Sequence, residues 1–573
     1  MRFSSWLRNQ KGPGPGVRGH APKMTRKRAM SRLRLEVLED RWLPSTLTVT
    51  SPLDDGSSGT LRAVIAAASP GTEILFAKSV HTITLTGGQL VINKNLDIEG
   101  PGAVNLTISG NNASRVFDIT NNATVTIAGL TIANGSAMSA TDPSQQGGGG
   151  VLNEPGATVY ITNDVFSNNR ALVVSGALEN AGGPGVPATA IISGTTFIGN
   201  QAIGSVNGTT NPFMVFDGFG PGSGVAEGGA IDDDGNLTLT NCNFIKNQAL
   251  GVAGTDGISA SAQGGALTVD GVATVSGCTF TDNQALAGSV PGSFGRSQGL
   301  GGAIDNFSAL TVSSCVFADN QAVGGSGATS LPNPRAFAGV GGGIQSNSGT
   351  ITISGSSFSD NQAIGGAGGA GGPGSVGFGG GLEARSSVLT LSDSTFSHNA
   401  AIGGAGGSGA VGGNAVGGGV AVDRGSKATI TNITVTQNQA LGGLGGDGAN
   451  GGNAWAGGLA VGGFSIFGFS DSSAVSLSGS TLDHNLAVGG NGGVGGNGGN
   501  GSGGGAFVGT GATLSVTGST VTQNQAFGGT GRAGGSAGQG EGGGVYHDGT
   551  FTFDAATVIN QNHASTSNDD IFP

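Results

Sequence analysis

The stretch Gly228-Gly229-Ala230-Ile231, followed by Phe244-Ile245-Lys246-Asn247, is the unit that decides the fold of this chain. The glycine step returns at 264–267, 301–304, 341–344, 379–382, 417–420 and 542–545. The aromatic and amide residues of the second step recur in pairs at Phe244 and Asn247, Phe280 and Asn283, Phe317 and Asn320, and Phe358 and Asn361. A period of about 40 residues is typical of solenoid proteins, whose repeats stack on one another.

The composition favours short strands joined by tight turns. Glycine accounts for 117 of the 573 residues and charged residues for only 10%, and the glycines lack the three-residue period of collagen. Residues that favour turns and strands are abundant, whereas Glu and Lys, which favour helices, are scarce. We therefore expect an all-β solenoid.

Charge divides the chain into a basic head and an acidic body. Residues 1–45 contain 11 Lys or Arg and 3 Asp or Glu, a net charge of +8, so the stated total of −12 leaves −20 for the remainder. An acidic body disfavours nucleic acid and anionic membranes as partners, and it favours cations. No apolar run has the length of a transmembrane segment.

The pattern predicts three segments: a basic leader at 1–45, a cap with the first coils at 46–145, and the repeat region at 146–573, continuous with the cap. Residues 60–68 have apolar side chains at helical spacing, which predicts a short helix that covers the open end of the solenoid. The remainder predicts about a dozen coils with three short strands each, which describes a parallel β-helix.

Equivalent residues in stacked coils should form ladders, because parallel strands lie about 4.8 Å apart. We expect the Phe residues to point inward as a stack of rings. We expect the Asn residues to occupy a sharp, left-handed corner and to hydrogen-bond from coil to coil. The paired glycines should supply positive φ at the opposite corner.

The alternation of Gly-Gly-Ala-Ile with Phe-x-x-Asn is similar to the repeats of chlamydial polymorphic outer-membrane proteins. The stretch 47–135 resembles bacterial surface proteins of the pectin-lyase-like class. These resemblances imply a right-handed β-helix that is secreted or exposed at the cell surface or outer envelope, often as an adhesin. The sequence departs from the first family because it ends at Pro573, straight after its last coil, where that family has a translocating β-barrel.

The segment 35–45, Leu-Glu-Val-Leu-Glu-Asp-Arg-Trp-Leu-Pro-Ser, resembles the export leader of many planctomycete surface and secreted proteins. This resemblance implies export. The alternative is a disordered basic tail with a short amphipathic helix.

The three cysteines occupy one position of the repeat. Cys242, Cys278 and Cys315 each lie two residues before a Phe of the ladder, so we expect them on consecutive coils. One pair lies within the reach of a disulfide, and a metal site of three thiolates is geometrically conceivable. The interpretation that we favour is a small buried residue that alternates with Ser and Thr.

A column of polar residues follows the glycine step. Its acidic members are candidates for binding a cation or glycan: Glu179, Asp232, Asp233, Asp234, Asp305 and Glu383. Because the preceding apolar residue points inward, we expect these side chains to form an acidic outer face that is densest at Asp232-Asp233-Asp234. Asp232 and Asp305 lie two coils apart, roughly 9–10 Å, near the upper end of the spacing in inverting glycosidases.

Two classes of function follow from these features. We favour a non-catalytic surface protein that binds polysaccharide, cell-surface glycan or protein, assisted by Ca²⁺, or that has a structural role in the envelope; it would need no other cofactor. The alternative is a secreted polysaccharide lyase or glycoside hydrolase acting through Asp232 and Asp305, although Arg385 is the lone candidate for the base of a lyase. Trp455, Phe464, Phe467 and Phe469 either pack in the core or stack on a sugar ring.

Overall fold

The computed structural model describes residues 45–138, 147–183, 185–205, 224–252, 260–289, 296–329, 335–462 and 471–573. The predicted leader, apart from Ser45, lies outside these residues, as do Phe464, Phe467 and Phe469. Residues Pro44–Pro573 form one compact unit. Within the described ranges, no helix has the length and apolar character that crossing a bilayer requires.

The unit is a right-handed parallel β-helix, as predicted. Its described residues form five long parallel sheets, which we number in the order that the chain visits them. A representative coil runs through Asn236–Thr240 (sheet 1), Asn243–Ile245 (sheet 2), Gln248–Leu250 (sheet 3), Ala262–Gln263 (sheet 4) and Leu267–Val269 (sheet 5). Each strand pairs with its counterpart one coil away, so equivalent residues form columns.

Sheets 1 and 2 enclose the main core together with sheet 5, whereas side chains of sheet 3 pack against those of sheet 4. Within the described residues, sheet 1 has 15 strands from Thr46–Val49 to Thr550–Phe553, sheet 2 has 14 from Thr82–Thr84 to Val558–Asn560, and sheet 3 has 12 from Ser136–Ala137 to His563–Ala564. Sheets 4 and 5 carry the residues of functional interest.

The strands of sheet 5 are Leu90–Ile92, Phe117–Ile119, Val151–Asn153, Leu178–Asn180, Ile231–Asp233, Leu267–Val269, Ile304–Asn306, Ile344–Asn347, Leu382–Arg385, Val420–Asp423, Leu459–Val461, Ala506–Val508, Val545–His547 and Ile571–Phe572. The strands of sheet 4 are Ala226–Glu227, Ala262–Gln263, Gly299–Leu300, Gly339–Val340, Gly377–Phe378, Ala415–Val416, Ala454–Trp455, Gly501–Ser502 and Gly540–Glu541.

The prediction of three strands per coil holds only in the first coils, which use sheets 1, 2 and 5. Sheet 3 joins at Ser136–Ala137 and sheet 4 at Ala226–Glu227, so later coils have four and then five strands. The extra strands are formed by the residues after the ladder Asn and by the two residues before the next glycine step, such as Ala262–Gln263. These residues carry little apolar periodicity, and the sequence pattern therefore did not reveal them.

The predicted N-terminal helix is present at Leu61–Ala67. Its N-cap Thr60 accepts a hydrogen bond from the Ala63 N–H, and Leu61, Val64 and Ile65 are buried. These three side chains belong to the main core of the solenoid. The helix connects the first two strands of sheet 1, so it takes the place of wall strands at the terminal coil, where an open core needs cover.

The predicted ladders are confirmed. Successive Phe rings from Phe166 to Phe396 stack with centroids 4.5–4.9 Å apart. Asn247 Nδ2 donates to Asn283 Oδ1 at 3.0 Å, and the same arrangement links Asn283 to Asn320 and Asn320 to Asn361. Since these amides are fully buried, the bonds satisfy polar groups that water cannot reach.

The predicted left-handed corner lies one residue earlier than expected. Positive φ occurs at Lys246, with φ 55°, and not at the ladder residue Asn247. The glycine corner is confirmed, since Gly228 has φ 57°. A side chain on the next residue, Gly229, would collide with the Gly265 carbonyl oxygen of the adjacent coil, so close approach of the backbones also requires glycine there.

The solenoid contains a second apolar layer. The main core lies inside sheets 1, 2 and 5 and includes Ile231 and Phe244. A separate cluster contains side chains from sheet 4, such as Val340 and Phe378, and from sheet 5, such as Ala421. Sheet 4 therefore covers the outer face of sheet 5, and the side chains between these two sheets are removed from solvent.

Candidate functional site

The acidic side chains expected on an outer face lie instead inside the protein. Glu179, Asp232, Asp305 and Glu383 occupy one column of sheet 5 and are at most 4% exposed. They point away from the main core, but sheet 4 and its flanking turns cover them. The prediction of an accessible acidic face is therefore wrong. Because Asp232 and Asp305 are 3% and 0% exposed, a polysaccharide cannot reach this pair.

The next position of sheet 5 points the opposite way. Asp233 is fully buried and continues a ladder in which Asn153 Nδ2 donates to Asn180 and Asn180 Nδ2 donates to the Asp233 carboxylate at 2.6 Å. Burial raises the pKa of Asp233 to about 7, although the bonds from Asn180 and Gly235 oppose this rise. Asp233 is thus a structural member of a polar ladder, and the prediction that it belongs to the acidic outer face is wrong.

A buried arginine neutralises one part of the acidic column. Arg335 Nη2 lies 2.7 Å from Glu383 and 2.7 Å from Asp423. Its guanidinium carbon also lies 3.7 Å from the centroid of the Phe378 ring. Burial alone would lower the pKa of Arg335, but the two carboxylates raise it. The arginine therefore remains charged, and the group is a structural ion cluster.

Glu179, Asp232 and Asp234 form a group of carboxylates on the earlier coils. Each offers an oxygen, and these oxygens lie within 4.8 Å of one another. Among the described residues, this is the one group of three or more His, Cys, Asp or Glu residues with the geometry to hold a metal ion. Glu179 and Asp232 are buried and Asp234 is partly exposed, so the group connects the interior to the surface.

Burial dominates the electrostatics of this group. It raises the pKa of Glu179 to about 8, and the neighbouring Asp234 adds to the rise. Burial likewise raises the pKa of Asp232 well above its usual range, followed by the charges of Glu179 and Asp234. Like charges in a low-dielectric interior repel strongly unless a proton or a cation neutralises them.

The three cysteines are free and buried on consecutive coils. The Cys242 N–H donates to Cys278 Sγ at 3.3 Å, the Cys278 N–H donates to Cys315 Sγ at 3.4 Å, and the Cys315 N–H donates to Ser356 Oγ at 3.1 Å. The thiols therefore take the place of serine hydroxyls in a hydrogen-bonded ladder, as the favoured interpretation predicted. Stacked along a column, the three sulfur atoms do not converge on one metal ion.

An open cleft lies between sheets 4 and 5 in the last coils. It has a volume of about 190 Å³ and is lined by Asn453, Trp455, Asn500, Ser502, Phe507, Glu541, Tyr546 and Asp548. The column of sheet 4 explains the opening, because the positions held by Phe378, Val416 and Trp455 in earlier coils are followed by Ser502 and Glu541. The smaller Ser502 leaves space that apolar side chains fill elsewhere.

The lining of this cleft combines aromatic rings with polar side chains. Phe507 and Tyr546 stack with centroids 5.3 Å apart, and the Trp455 ring lies 6.1 Å from that of Phe507. Asn453 Oδ1 accepts the Asn500 N–H at 2.8 Å, and Asn500 Oδ1 accepts the Gln539 N–H at 2.9 Å. These backbone bonds fix both amides and leave their Nδ2 groups as donors for a ligand.

The two carboxylates of the cleft influence their neighbours. Burial raises the pKa of Tyr546 to about 12, and the charges of Asp548 and Glu541 and a hydrogen bond to Asp548 add to this rise. Burial, followed by the charge of Asp548, also raises the pKa of Glu541. Tyr546 thus stays protonated at neutral pH and donates its hydroxyl proton to Asp548, which leaves its oxygen as an acceptor for a ligand.

Sequence reasoning missed most of this cleft. The sequence predicts that Trp455 either packs in the core or stacks on sugar, and in the structure it borders both the second apolar layer and the cleft. Glu541 directly precedes the last glycine step, and Tyr546 and Asp548 follow it. All three are far from Trp455 in sequence. The sequence does contain one signal for the cleft: Ser502 and Glu541 occupy positions that hold large apolar residues in earlier coils. This signal can be recognised only after the strands of sheet 4 have been aligned with one another.

Comparison with known proteins gives structural similarity at low identity. A bacteriophage CBA120 tailspike protein is 12% identical, with 90% of this chain and 60% of that chain covered and a TM-score of 0.32. The catalytic unit of an alpha-1,3-glucanase from Streptomyces thermodiastaticus is 12% identical, with 92% of this chain and 70% of that chain covered and a TM-score of 0.36. A mannuronan C-5 epimerase module from Azotobacter vinelandii is 10% identical, with 87% of this chain and 93% of that chain covered and a TM-score of 0.33.

This chain therefore spans less than two thirds of the length of the tailspike protein. No protein-family profile matches the sequence, and no curated protein matches it significantly. Likeness at this level describes partial overlap of the chain paths and defines no shared activity.

Proposed function

We propose that this protein is a non-catalytic, secreted or surface-exposed β-helix that binds glycans and acts as an adhesin. The cleft between sheets 4 and 5 carries this proposal. Its carboxylates and the Tyr546 hydroxyl oxygen accept hydrogen bonds, its amides donate them, and its aromatic rings supply an apolar border. Sugars present hydroxyl groups that both donate and accept, beside apolar C–H faces, so this mixture of groups matches their chemistry.

The size of the cleft suits a short ligand. Its volume of about 190 Å³ is below the roughly 300–1,000 Å³ of pockets that enclose drug-sized molecules. A single sugar residue or the end of a glycan chain fits this space better than a long polymer does. Multivalent attachment would then depend on several copies of the protein at one surface.

The charge of the cleft selects among sugars. Glu541 and Asp548 are its two carboxylates, and the body of the chain is acidic as a whole. A uronic acid would add another negative charge and would be repelled. We therefore expect neutral sugars to bind in preference to acidic ones.

The experiment is retention of the full chain on immobilised dextran, laminarin and alginate. We expect retention on at least one neutral gel and less on alginate. Glu541→Gln and Asp548→Asn each keep the side-chain size but remove a charged acceptor, so each should weaken binding by about tenfold. Glu99→Gln is the matched control, because Glu99 also has a pKa raised by burial but lies in the first coils. Equal retention of all four proteins would contradict a binding role for the cleft.

The second candidate is a glycoside hydrolase that uses the same two carboxylates. It is favoured because Glu541 and Asp548 line one cleft and burial raises the pKa of Glu541. A carboxyl group with a raised pKa can act as the general acid of such a pair. Release of new reducing ends from laminarin or dextran, abolished by Glu541→Gln, would make the protein an enzyme. If the protein neither binds nor cleaves any of these glycans, a structural role in the envelope becomes the best account.

A further inference from the structure

The carboxylates of Glu179, Asp232 and Asp234 converge between two layers of the solenoid. Glu179 and Asp232 are adjacent in one column of sheet 5, and Asp234 follows directly after the strand Ile231–Asp233. Their nearest oxygens lie within 4.8 Å of one another. This spacing lets a single ion contact all three side chains.

Asp232 supplies an independent sign of a ligand. Its side chain is 3% exposed, and its Oδ1 atom is buried with no hydrogen-bond partner. A buried carboxylate oxygen without a partner has a high free-energy cost, so native structures rarely keep one unless a proton, water or ion occupies the site. Since Asp232 belongs to the group of three carboxylates, a cation placed among them would give its carboxylate a partner.

The same column contains an internal comparison. At Glu383 and Asp423 the negative charges meet the buried guanidinium of Arg335 at 2.7 Å. The charge of Arg115 acts on Glu179, but this guanidinium donates to the carbonyl oxygens of Gly147 and Gly148 and to Gln89. The fold thus provides a cationic side chain for one acidic cluster, whereas Asp232 receives no such bond.

We propose that Glu179, Asp232 and Asp234 bind one divalent cation of the calcium class. The donors are oxygens alone, which suits Ca²⁺ and disfavours metals that prefer imidazole or thiolate. Ca²⁺ takes six to eight oxygen ligands in flexible geometry, so water entering beside the partly exposed Asp234 completes its coordination. Mg²⁺ is less suited because it needs a near-ideal octahedral arrangement.

The cation would have a structural role in this position. It would neutralise carboxylates that burial otherwise forces to remain protonated, and it would join adjacent coils of sheet 5. The site lies in coils that are distant in sequence from the glycan cleft at 453–548. Loss of the cation site and loss of glycan binding can therefore be distinguished by experiment.

The test is calorimetric titration of the full chain with Ca²⁺ after removal of metal by a chelator. We expect saturable binding of one Ca²⁺ per chain and weaker binding of Mg²⁺. Asp232→Asn should abolish the saturable binding while keeping the size of the side chain. Asp305→Asn is the matched control, because Asp305 is a buried carboxylate of the same column outside the group, and it should bind Ca²⁺ like the native chain.

Thermal unfolding supplies a second readout that also reports folding. Ca²⁺ should raise the unfolding midpoint of the native chain and of Asp305→Asn, because a ligand that binds only the folded state stabilises it. It should leave the midpoint of Asp232→Asn unchanged. Failure of the native chain to bind Ca²⁺ at millimolar concentration, tighter binding of Mg²⁺, or equal Ca²⁺ affinity in Asp232→Asn would each overturn the proposal.

Discussion

Arg335 Nη2 lies 2.7 Å from the carboxylate of Glu383, and the two side chains are 3% and 0% exposed. The pair joins the residues that lead into sheet 4 to the column of sheet 5 that sheet 4 covers. Removing two charges from water costs several kcal/mol, which their attraction repays only when the geometry is good and both partners are present. The layer between the sheets therefore depends on keeping the pair intact.

We predict that Arg335→Met destabilises the protein by about 3–5 kcal/mol, because Glu383 and Asp423 would be left buried without their cation. Denaturant unfolding followed by circular dichroism measures this change. Arg424→Met is the control, since Arg424 is exposed, and it should alter stability by less than about 0.5 kcal/mol. Adding Glu383→Gln and Asp423→Asn to Arg335→Met should recover part of the loss, and a triple variant less stable than the single one would contradict this explanation.

Stability should also fall as the pH rises, because several buried carboxyl groups have raised pKa values. Asp164 is 1% exposed, and burial raises its pKa from 3.8 to about 8. Between these values the folded state holds a proton that the unfolded chain releases, so the free energy of unfolding decreases with increasing pH. Asp164 contributes stability that is complete below pH 3.8 and is lost as the pH passes about 8.

The measurement is the free energy of unfolding at pH 5 and pH 8 for the native chain, Asp164→Asn and Asp97→Asn. Asparagine keeps an acceptor for the Leu130 N–H but cannot ionise. The difference between the two pH values should therefore shrink by on the order of 1–3 kcal/mol in Asp164→Asn. Asp97 is exposed, so Asp97→Asn should behave like the native chain; an unchanged pH dependence in Asp164→Asn would contradict the assignment.

The main features of the fold could be predicted because they repeat. A Phe at the same position in successive coils either stacks inside the solenoid or is exposed to water. The free energy gained by burying the ring favours the stacked arrangement. The Asn ladder follows from the same register. A Gln ladder lies one residue after the Asn ladder, and in it Gln201 Nε2 donates to Gln248 Oε1 at 2.8 Å. The apolar pattern does not predict this ladder, because glutamine is polar.

The candidate sites were harder to predict because they depend on a second layer. The alternation of side chains along a strand correctly places Ile231 and Asp232 on opposite faces of sheet 5. It does not show which other parts of the protein cover each face. Sheet 4 contributes only two residues per strand, such as Ala226–Glu227, which is too short for a periodic pattern. The burial of Asp232 and the opening beside Ser502 both follow from this layer, so they required the structure.

The cysteine ladder predicts that a hydroxyl can replace a thiol. Cys278→Ser should change stability by less than about 1 kcal/mol, because Ser356 already performs this role in a neighbouring coil, where it accepts the Cys315 N–H. Cys278→Ala should cost about 1–3 kcal/mol more, since the buried Cys242 N–H would lose its acceptor. Denaturant unfolding of both variants under reducing conditions tests this. Equal stability of the Ser and Ala variants would show that the thiol acts by packing alone.

The Asn ladder should be the most sensitive part of the repeat. Asn320 Oδ1 accepts bonds from both the N–H and Nδ2 of Asn283, and its Nδ2 donates to Asn361 and to the Phe280 carbonyl oxygen. Asn320→Ala would leave several buried groups unpaired, at a cost of about 3 kcal/mol or more.

Because each coil of a solenoid contacts only its neighbours, this loss should appear locally. Hydrogen exchange measured by mass spectrometry should show faster exchange in the peptide that contains Asn283 and little change in coils near either end. Asn560→Ala is the control, since that side chain is exposed on the last strand of sheet 2, and it should leave exchange at Asn283 unaltered. If Asn320→Ala exchanges like the native chain at Asn283, the amide ladder contributes less to stability than its bonds imply.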